Sequence, residues 1–497
     1  MRIRSIPSLV ARQNKPTDLK PKRHKLVILL PMVWSIRNIV HSGLLDLLPG
    51  VDVHLLIHQY DPGLLPLPFN QAFSSAASCQ ALQAPEMKQR VFGMAFLKEI
   101  IKSAFSRRNA IGSYPIYQHW NHRNSTFFQR LRIQMVELLG FLAQPAPFFF
   151  GLCRISNYLY PKSNDLTPIR QQLNEIQPDL LLSTVNVEST YERAYILAAK
   201  ELGIPIVISI LSFDNLTTHP IHLLYDHYLV WNQGMRDQLL RLYPQVTKDQ
   251  VRITGTPQFD FHRRPACLWT REYTLQHLGL PPNAEYFLYG TSVEGLTPAE
   301  PELVARIAKK IQEHDILKNY WLVVRIHPRD DWSRWDGVRR SSSHVVLSKA
   351  WDVTPNSSGW ALPTMDDHAR LTSSLVHATA CINIASTISL DAAILDRPVI
   401  GIRFDKEPDA PPEILYEEYD TDHYRPLVEL GGLRLAHTWD ELLDLMQQAI
   451  EHPDRDRDAR ARMVSQECGM VDGKAAERVA NALLDILHAP KITKKAE

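Results

Sequence analysis

The chain has 497 residues, and its 55 Lys and Arg against 54 Asp and Glu leave a net charge of +1, which disfavours nucleic acid as the main partner without a local basic face. That length exceeds one comfortable hydrophobic core and predicts two or three domains. Cys79, Cys153, Cys267, Cys381 and Cys468 form no Cys-x-x-Cys pair, so neither a zinc ribbon nor a disulfide framework is expected, and a reducing cytoplasm fits.

Residues 1–25 read as a disordered basic arm, with Arg2, Arg4, Arg12, Lys15 and Lys20 among its cations against Asp18 alone; anionic lipid would suit it. A strand-like run at 26–30 follows directly, so no signal peptide is expected. The apolar run 26–31, helical spacing over 36–48 and a second run at 51–58 predict a strand-helix-strand opening. From about 60 to 160, aromatic and basic residues such as Phe96, Arg107, Trp120 and Phe128 break the strand pattern and predict a mostly helical insertion. Its longest apolar run, 136–153, carries Glu137, Gln144, Pro145 and Pro147, which argues for a buried or interfacial segment over a membrane span. Strands are expected again at 180–185, 205–211, 227–231 and 251–255, with helices at 188–202 and 233–242. Residues 257–283, with Pro265, Pro281 and Pro282, read as a linker. A second series then predicts strands at 286–290, 321–326, 345–347, 381–384 and 399–404. The pattern implies an α/β chain of two doubly wound Rossmann-like domains facing a cleft, at 26–256 and 284–497.

Ligands of such sheets bind beyond the carboxyl ends of the strands. Four ends of the second series carry polar groups: Thr291-Ser292, Arg325 with His327, Asn383 with Ser386-Thr387, and Arg403 with Asp405. Hydroxyl pairs, guanidiniums and an imidazole at one sheet edge suit a diphosphate, and Ser386-Thr387 stand where a helix start would favour phosphate oxygens. Each also has a plain reading: the hydroxyls as N-caps, Arg325 as a partner of Asp330 or Asp331. Trp332 and Trp335 either stack on a base or sugar or pack in the core.

In the first series Asp214 ends the strand 205–211 and is the first candidate to take a proton from an acceptor hydroxyl, with an Asx turn as its alternative role. Glu188 and Glu192 after 180–185, and His41 or Arg37 after the first strand, are the other candidates. The run 469–475 resembles a P-loop but lacks a residue between its glycines and the magnesium-binding hydroxyl. Asp420-Thr421-Asp422 and 454–458 have Asp-x-Asp spacing, yet neither ends an apolar strand. Catalysis without a metal is therefore expected, with the donor as substrate and no further cofactor. Gly-x-Gly-x-x-Gly is absent, which disfavours a hydride-transferring dinucleotide enzyme.

The run Ser386-Thr387-Ile388-Ser389-Leu390-Asp391 through Asp396-Arg397-Pro398-Val399-Ile400 resembles the Ser-Thr, acidic-Ala and Pro-Val-Ile signature in the donor domain of GT-B glycosyltransferases of bacterial surface polysaccharide assembly. His327-Pro328 resembles the His-Pro motif of inverting sialyltransferases, capsule Kdo transferases and CDP-glycerol glycerophosphotransferases. Gly255-Thr256-Pro257-Gln258-Phe259-Asp260 and Asp472-Gly473-Lys474-Ala475-Ala476-Glu477-Arg478 are similar to two further runs of that superfamily. The resemblance implies that His327 contacts donor phosphate, that Ser386 and Thr387 hold the phosphates or the nucleotide, and that Asp391, an Asp for the commoner Glu, accepts from the ribose or serves only the helix dipole. Thr291, Ser292 and Arg325 complete the expected donor side.

The function expected is transfer of a nucleotide-activated sugar to a surface glycan or lipid-linked precursor, with inversion, by a cytoplasmic chain in peripheral contact with the inner face of the membrane. Transfer of glycerol or ribitol phosphate on the same fold is the alternative. A non-hydrolysing sugar-nucleotide 2-epimerase and a non-catalytic nucleotide-binding partner of a glycan assembly complex are the remaining readings.

Overall fold

The computed structural model describes residues 23–58, 73–88, 93–185, 191–221, 223–351 and 363–489. Nearly all of the expected basic arm, and Glu188, lie outside them.

Strands buried on both faces need uninterrupted apolar runs, and the sequence supplies them. In chain order the strands, central and edge together, are β1 His24–Leu30, β2 Val51–Ile57, β3 Ser78–Ala81, β4 Glu86–Met87, β5 Asn164–Asp165, β6 Leu180–Ser183, β7 Ile206–Ser209, β8 His227–Val230 and β9 Val251–Ile253. The second series is β10 Tyr286–Gly290, β11 Trp321–Ile326, β12 Val345–Lys349, β13 Cys381–Asn383, β14 Val399–Ile402 and β15 Arg434–Ala436. The first sheet runs β3-β2-β1-β6-β7-β8-β9 and the second β12-β11-β10-β13-β14-β15; β4 and β5 form a small antiparallel pair apart. Every pairing within the two large sheets is parallel. Both are doubly wound Rossmann-like sheets, and in each the strand order reverses once, between β1 and β6 and between β10 and β13. Crevices for ligands open at those two reversals.

The insertion contributes the helices Met94–Arg108, Ser113–His122, Phe127–Ala143 and Ala146–Ser163. Four strands went unread in sequence, the short pair β4 and β5 and, in the large sheets, two more. β3 and β15 are short edge strands whose residues are mostly half-buried, so neither carries a continuous apolar run. The helix expected over 36–48 is three short turns, Val33–Ile36, Arg37–His41 and Leu44–Leu47, because Gly43 takes a left-handed φ of 76° between the last two. Residues 257–283 are not an open linker. Pro257–Arg263 is a 3-10 turn and Arg271–Leu278 a helix, and Phe261 and Cys267 are buried against Ala369.

The last helix, Ala475–His488, leaves the second half and buries Val479, Leu483 and Leu487 in the core of the first sheet. The two motif runs around Gly255–Asp260 and Asp472–Arg478 meet at its start. The Asp260 carboxylate accepts the N–H groups of Ala475 and Ala476 at 3.0 and 2.9 Å, and Arg478 Nε donates to the Thr254 carbonyl at 2.8 Å. Those runs therefore fasten the fold, Asp260 satisfying two of the donors that a helix start leaves open.

The insertion also reaches across. Trp120 Nε1 donates to the Gly295 carbonyl at 2.9 Å, Tyr117 Oη to Glu418 at 2.6 Å, and Ser113 donates twice to Asp422.

Candidate active site

A cleft of about 520 Å³ lies between the two sheets. Its first wall comes from the turn after β1 (Met32, Trp34, Arg37), the loop after β7 (Leu211, Ser212, Asp214, Asn215, His219) and Gln258. Its second wall comes from the ends of β10, β11 and β12 and the turn after β13, and includes Thr291, Arg325, His327, Trp351, Ser386, Thr387 and Asp391.

The second wall is built by strand ends that lock one another. Gly290, the last residue of β10, sits where a Cβ would come within 2.8 Å of Ile388, so the absence of a side chain lets the Ser386-Thr387 turn lie against the strand. Ala385 just before that turn has φ 36°, a strained value for a non-glycine residue, and is held there by the Tyr419 hydroxyl accepting its N–H at 3.0 Å. Asn383 Oδ1 accepts the N–H of Ser386, and the Tyr424 hydroxyl contacts the Ser386 carbonyl and the Ser389 hydroxyl. The turn is thus braced from behind, with Ser386 and Thr387 on the cleft.

Thr291 Oγ1 accepts the His327 N–H at 2.8 Å, and the Thr291 N–H donates to the Arg325 carbonyl, tying the ends of β10 and β11 together. His327 Nδ1 accepts the Arg329 N–H at 3.2 Å, which places the proton of the neutral ring on Nε2. Burial, followed by the charge of Arg329, pushes the His327 imidazole down to about 4. Arg325 is 8 % exposed; Nη2 donates to the Ala350 carbonyl at 3.2 Å and Nη1 has no partner. Burial and then neighbouring Arg370 lower its guanidinium to about 10, so it remains a cation at neutral pH. A buried cation with an unused donor on a cleft is a site for an anion.

On the first wall Asp214 precedes the short helix Asn215–Thr218; its Oδ2 accepts the Thr218 hydroxyl at 3.1 Å and its Oδ1 the Asn215 amide at 3.3 Å. Thr218 Oγ1 also meets His219 Nδ1 at 2.7 Å, so a carboxylate, a hydroxyl and an imidazole form one chain along the cleft. Arg37 reaches Gln258 and Asn38, and burial lowers its guanidinium to about 10 against the opposing pull of Asp391. Trp34 spans the gap: its ring lies edge-on to Trp351 at 4.8 Å and to His327 at 6.3 Å, with the Arg329 guanidinium 5.5 Å from its centre.

Of the residues singled out in sequence, Asp214, Thr291, Arg325, His327, Ser386, Thr387 and Asp391 line this one cleft, as does Arg37. Asp391 Oδ1 is engaged by His262 Nε2 at 2.7 Å. Ser292 is not among the lining residues, and its N–H is held by both oxygens of Glu300 at 3.1 and 3.0 Å. Glu192 is buried against the Ser183 hydroxyl, where burial pushes its carboxyl up to about 8. His41 is buried against His368, Nδ1 to Nε2, at 2.9 Å. Arg403 pairs with Asp420 and Asp405 away from the cleft, and Asp330 takes Arg334 and Trp335 Nε1 rather than Arg325. Trp335 is core and Trp332 is outside the cleft lining. Trp34 and Trp351 were missed, although each stands a few residues past a strand end; His219 was missed because it lies well beyond β7, after the helix Asn215–Thr218.

The comparisons agree with this architecture. No curated protein sequence matches the chain significantly. Among solved structures, a UDP-N-acetylglucosamine 2-epimerase shares 14% identity at a TM-score of 0.53, covering 96% of this chain and 99% of its own. The S. aureus MnaA structure with UDP (12%, 0.53, covering 95% and 99%) and the Neisseria meningitidis UDP-GlcNAc 2-epimerase bound to UDP-GlcNAc (12%, 0.52, covering 93% and 100%) are similar. At such identities the likeness is one of fold, two Rossmann-like halves in the GT-B manner. Sequence goes further, because the model of the family described as CDP-Glycerol:Poly(glycerophosphate) glycerophosphotransferase matches residues 217–485, more than half of the chain and all of the second wall, and the chain belongs to that family.

Proposed function

We propose that this chain transfers a glycerophosphate-type group from a cytidine diphosphate-linked donor to a hydroxyl of a cell-envelope glycan or its lipid-linked precursor, in peripheral contact with the membrane. The observation that carries the reading is Arg325, a buried guanidinium with an unused donor on the same cleft as His327, Ser386 and Thr387, within the stretch that the family model matches. The donor diphosphate would lie on these groups, Thr291 holding the His327 backbone in place. An acceptor hydroxyl attacks the phosphorus of the group transferred, its proton passing to the Asp214 carboxylate. The bond from that phosphorus to the bridging oxygen breaks, and the electron pair leaves with CMP, its charge met by Arg325 and the Nε2–H of His327. The step needs no metal in this reading, since two guanidiniums, Arg325 and Arg37, already face the cleft.

Titration calorimetry of the full chain with CDP-glycerol tests the donor side. His327→Ala and Ser386→Ala should each weaken binding at least tenfold, and unchanged affinity in both would refute the assignment. Transfer of a sugar is the second reading, favoured by the Trp34–Trp351 pair, since aromatic faces pack against sugar rings. Mass analysis of the product separates the two, a gain of glycerol phosphate supporting the first and a gain of sugar the second.

A further inference from the structure

Trp332, singled out in sequence and left outside the cleft, lines a second cavity of about 300 Å³ at the open edge of the second sheet, together with His277, Ser348, Lys349 and Arg370. That volume stands at the lower end of the range for small-molecule sites. The end of β12 separates this cavity from the cleft, and two buried guanidiniums pin that end. Arg325 Nη2 donates to the Ala350 carbonyl at 3.2 Å on the cleft side, and Arg370 Nη1 to the Lys349 carbonyl at 3.1 Å on the other. Arg370 is 3% exposed, and its Nε donates to His277 Nε2 at 2.9 Å. Asp367, 3.5 Å from Arg370 Nη1, also acts on Arg325 and lines the cleft, not this cavity. Among the described residues no carboxylate lines the cavity.

At the mouth of the cavity Lys349 and Trp332 face solvent. The Lys349 ammonium forms no hydrogen bond or ion pair among the described residues, and Nζ lies 5.7 Å from the centre of the Trp332 ring, which is 38% exposed. An ammonium without a counter-ion, backed by a buried guanidinium, favours an anion, and the exposed indole face beside it suits a sugar ring. A bare inorganic anion would leave the indole unused, and a neutral sugar would leave the two cations unused. We propose that this cavity is a second binding site, taking a sugar that carries a phosphate or carboxylate group, with its ring on Trp332 and its anion on Lys349 over Arg370. Lys349 leads directly into Ala350 and Trp351, which line the cleft, and the helix Met365–Val376 turns Arg370 to this cavity and Asp367, His368 and Leu371 to the cleft. An acceptor glycan crossing the end of β12 would thus fill both, its hydroxyl in the cleft and an anionic unit here; that step alone rests on the transfer proposed above.

Titration calorimetry of the full chain with glucose 1-phosphate, glucuronate and glucose is the test, each with and without saturating CDP. At least one of the two anions should bind at least tenfold more tightly than glucose, equally well beside CDP, and more weakly at high salt. The tighter of the two tells phosphate from carboxylate. Trp332→Ala with Lys349→Gln should weaken that binding at least tenfold, while CDP affinity, read separately as proof of folding, stays within twofold. The proposal is overturned if neither anion binds more tightly than glucose, or if the double variant binds as the parent does. Displacement of the sugar anion by CDP would place it in the cleft and overturn the proposal as well. A parent that takes the sugar anion through Trp332 and Lys349 but binds no CDP would keep this site and remove the donor reading instead.

Discussion

The two sheets have the same winding, and each reverses its strand order once, but the loops at the two reversals are furnished differently. At the second, hydroxyls, a buried guanidinium and a neutral imidazole are held by neighbouring strands and by Tyr419 and Tyr424, so the groups are fixed before any ligand arrives. At the first, the cleft-facing groups are Trp34 and Arg37 on short turns, with a carboxylate and an imidazole joined through Thr218 on the next loop. One topology thus holds hydroxyls, a guanidinium and an imidazole rigidly on one side and a carboxylate bonded through a hydroxyl to an imidazole on the other, a division that suits the proposed transfer, in which a leaving group is gripped and a hydroxyl activated.

The division predicts that substitutions on the two walls fail in different kinetic terms. Asp214→Asn should lower turnover by about 10²–10⁴-fold while the donor binds as before, the loss typical of a missing general base. His327→Ala should weaken donor binding as well as turnover. Calorimetry beside steady-state rates reads both, and an Asp214→Asn variant with more than half the parent turnover would move the base to His219.

A smaller effect belongs to the fastening between the halves. Asp260 is 1% exposed and caps the final helix, so Asp260→Ala should destabilise the protein by about 1–2 kcal/mol. Asp260→Asn, retaining one acceptor oxygen, should lose less. Urea unfolding measures both; a neutral Ala variant would mean that the helix docks by its apolar face alone.

How much of this was legible in sequence follows the same division. The second wall was readable because its groups directly end apolar strands, so Arg325, His327, Ser386 and Thr387 could be named from position alone. Ser292 could not be sorted from Thr291, since only the fold shows that Glu300 captures its N–H. The first wall was read in part: Asp214 follows a clear strand, but Trp34 sits in the short turn Val33–Ile36, before the 36–48 stretch where a helix was expected. The runs at Gly255–Asp260 and Asp472–Arg478 were visible as motifs, and only their contact reveals Asp260 and Arg478 as fasteners, while Gln258 of the first run lines the cleft.

Acid should act on the seam between the halves. Burial, with help from Arg37 and Arg264, pushes His41 down to about 4, burial and then His41 itself lower His368, and His327 is likewise pushed to about 4. An unfolded histidine titrates near 6.5, so below that value the unfolded chain binds protons that the folded chain refuses. Stability is therefore fully present above about pH 6.5 and falls as pH approaches 4, each such group contributing a slope of up to about 1.4 kcal/mol per pH unit. The melting temperature should drop by several degrees from pH 7 to pH 5. His368→Gln should flatten that decline, and an unchanged acid slope would show that the histidine pair does not govern it.

The smallest expected effect is a null one, and it bears on the second wall alone. If Arg325 and His327 meet the charge on the departing CMP, with Arg37 opposite, a divalent cation has no separate task, and activity after dialysis against EDTA should stay within about twofold of its starting value. Arg325→Gln should then be inactive and stay so when magnesium is added, because a hydrated ion in solution cannot take the place of a buried guanidinium fixed against the Ala350 carbonyl. Loss of activity on chelation with recovery on magnesium would transfer the charge-bearing role from Arg325 to a metal, and would leave the second wall as an orienting surface for phosphate only.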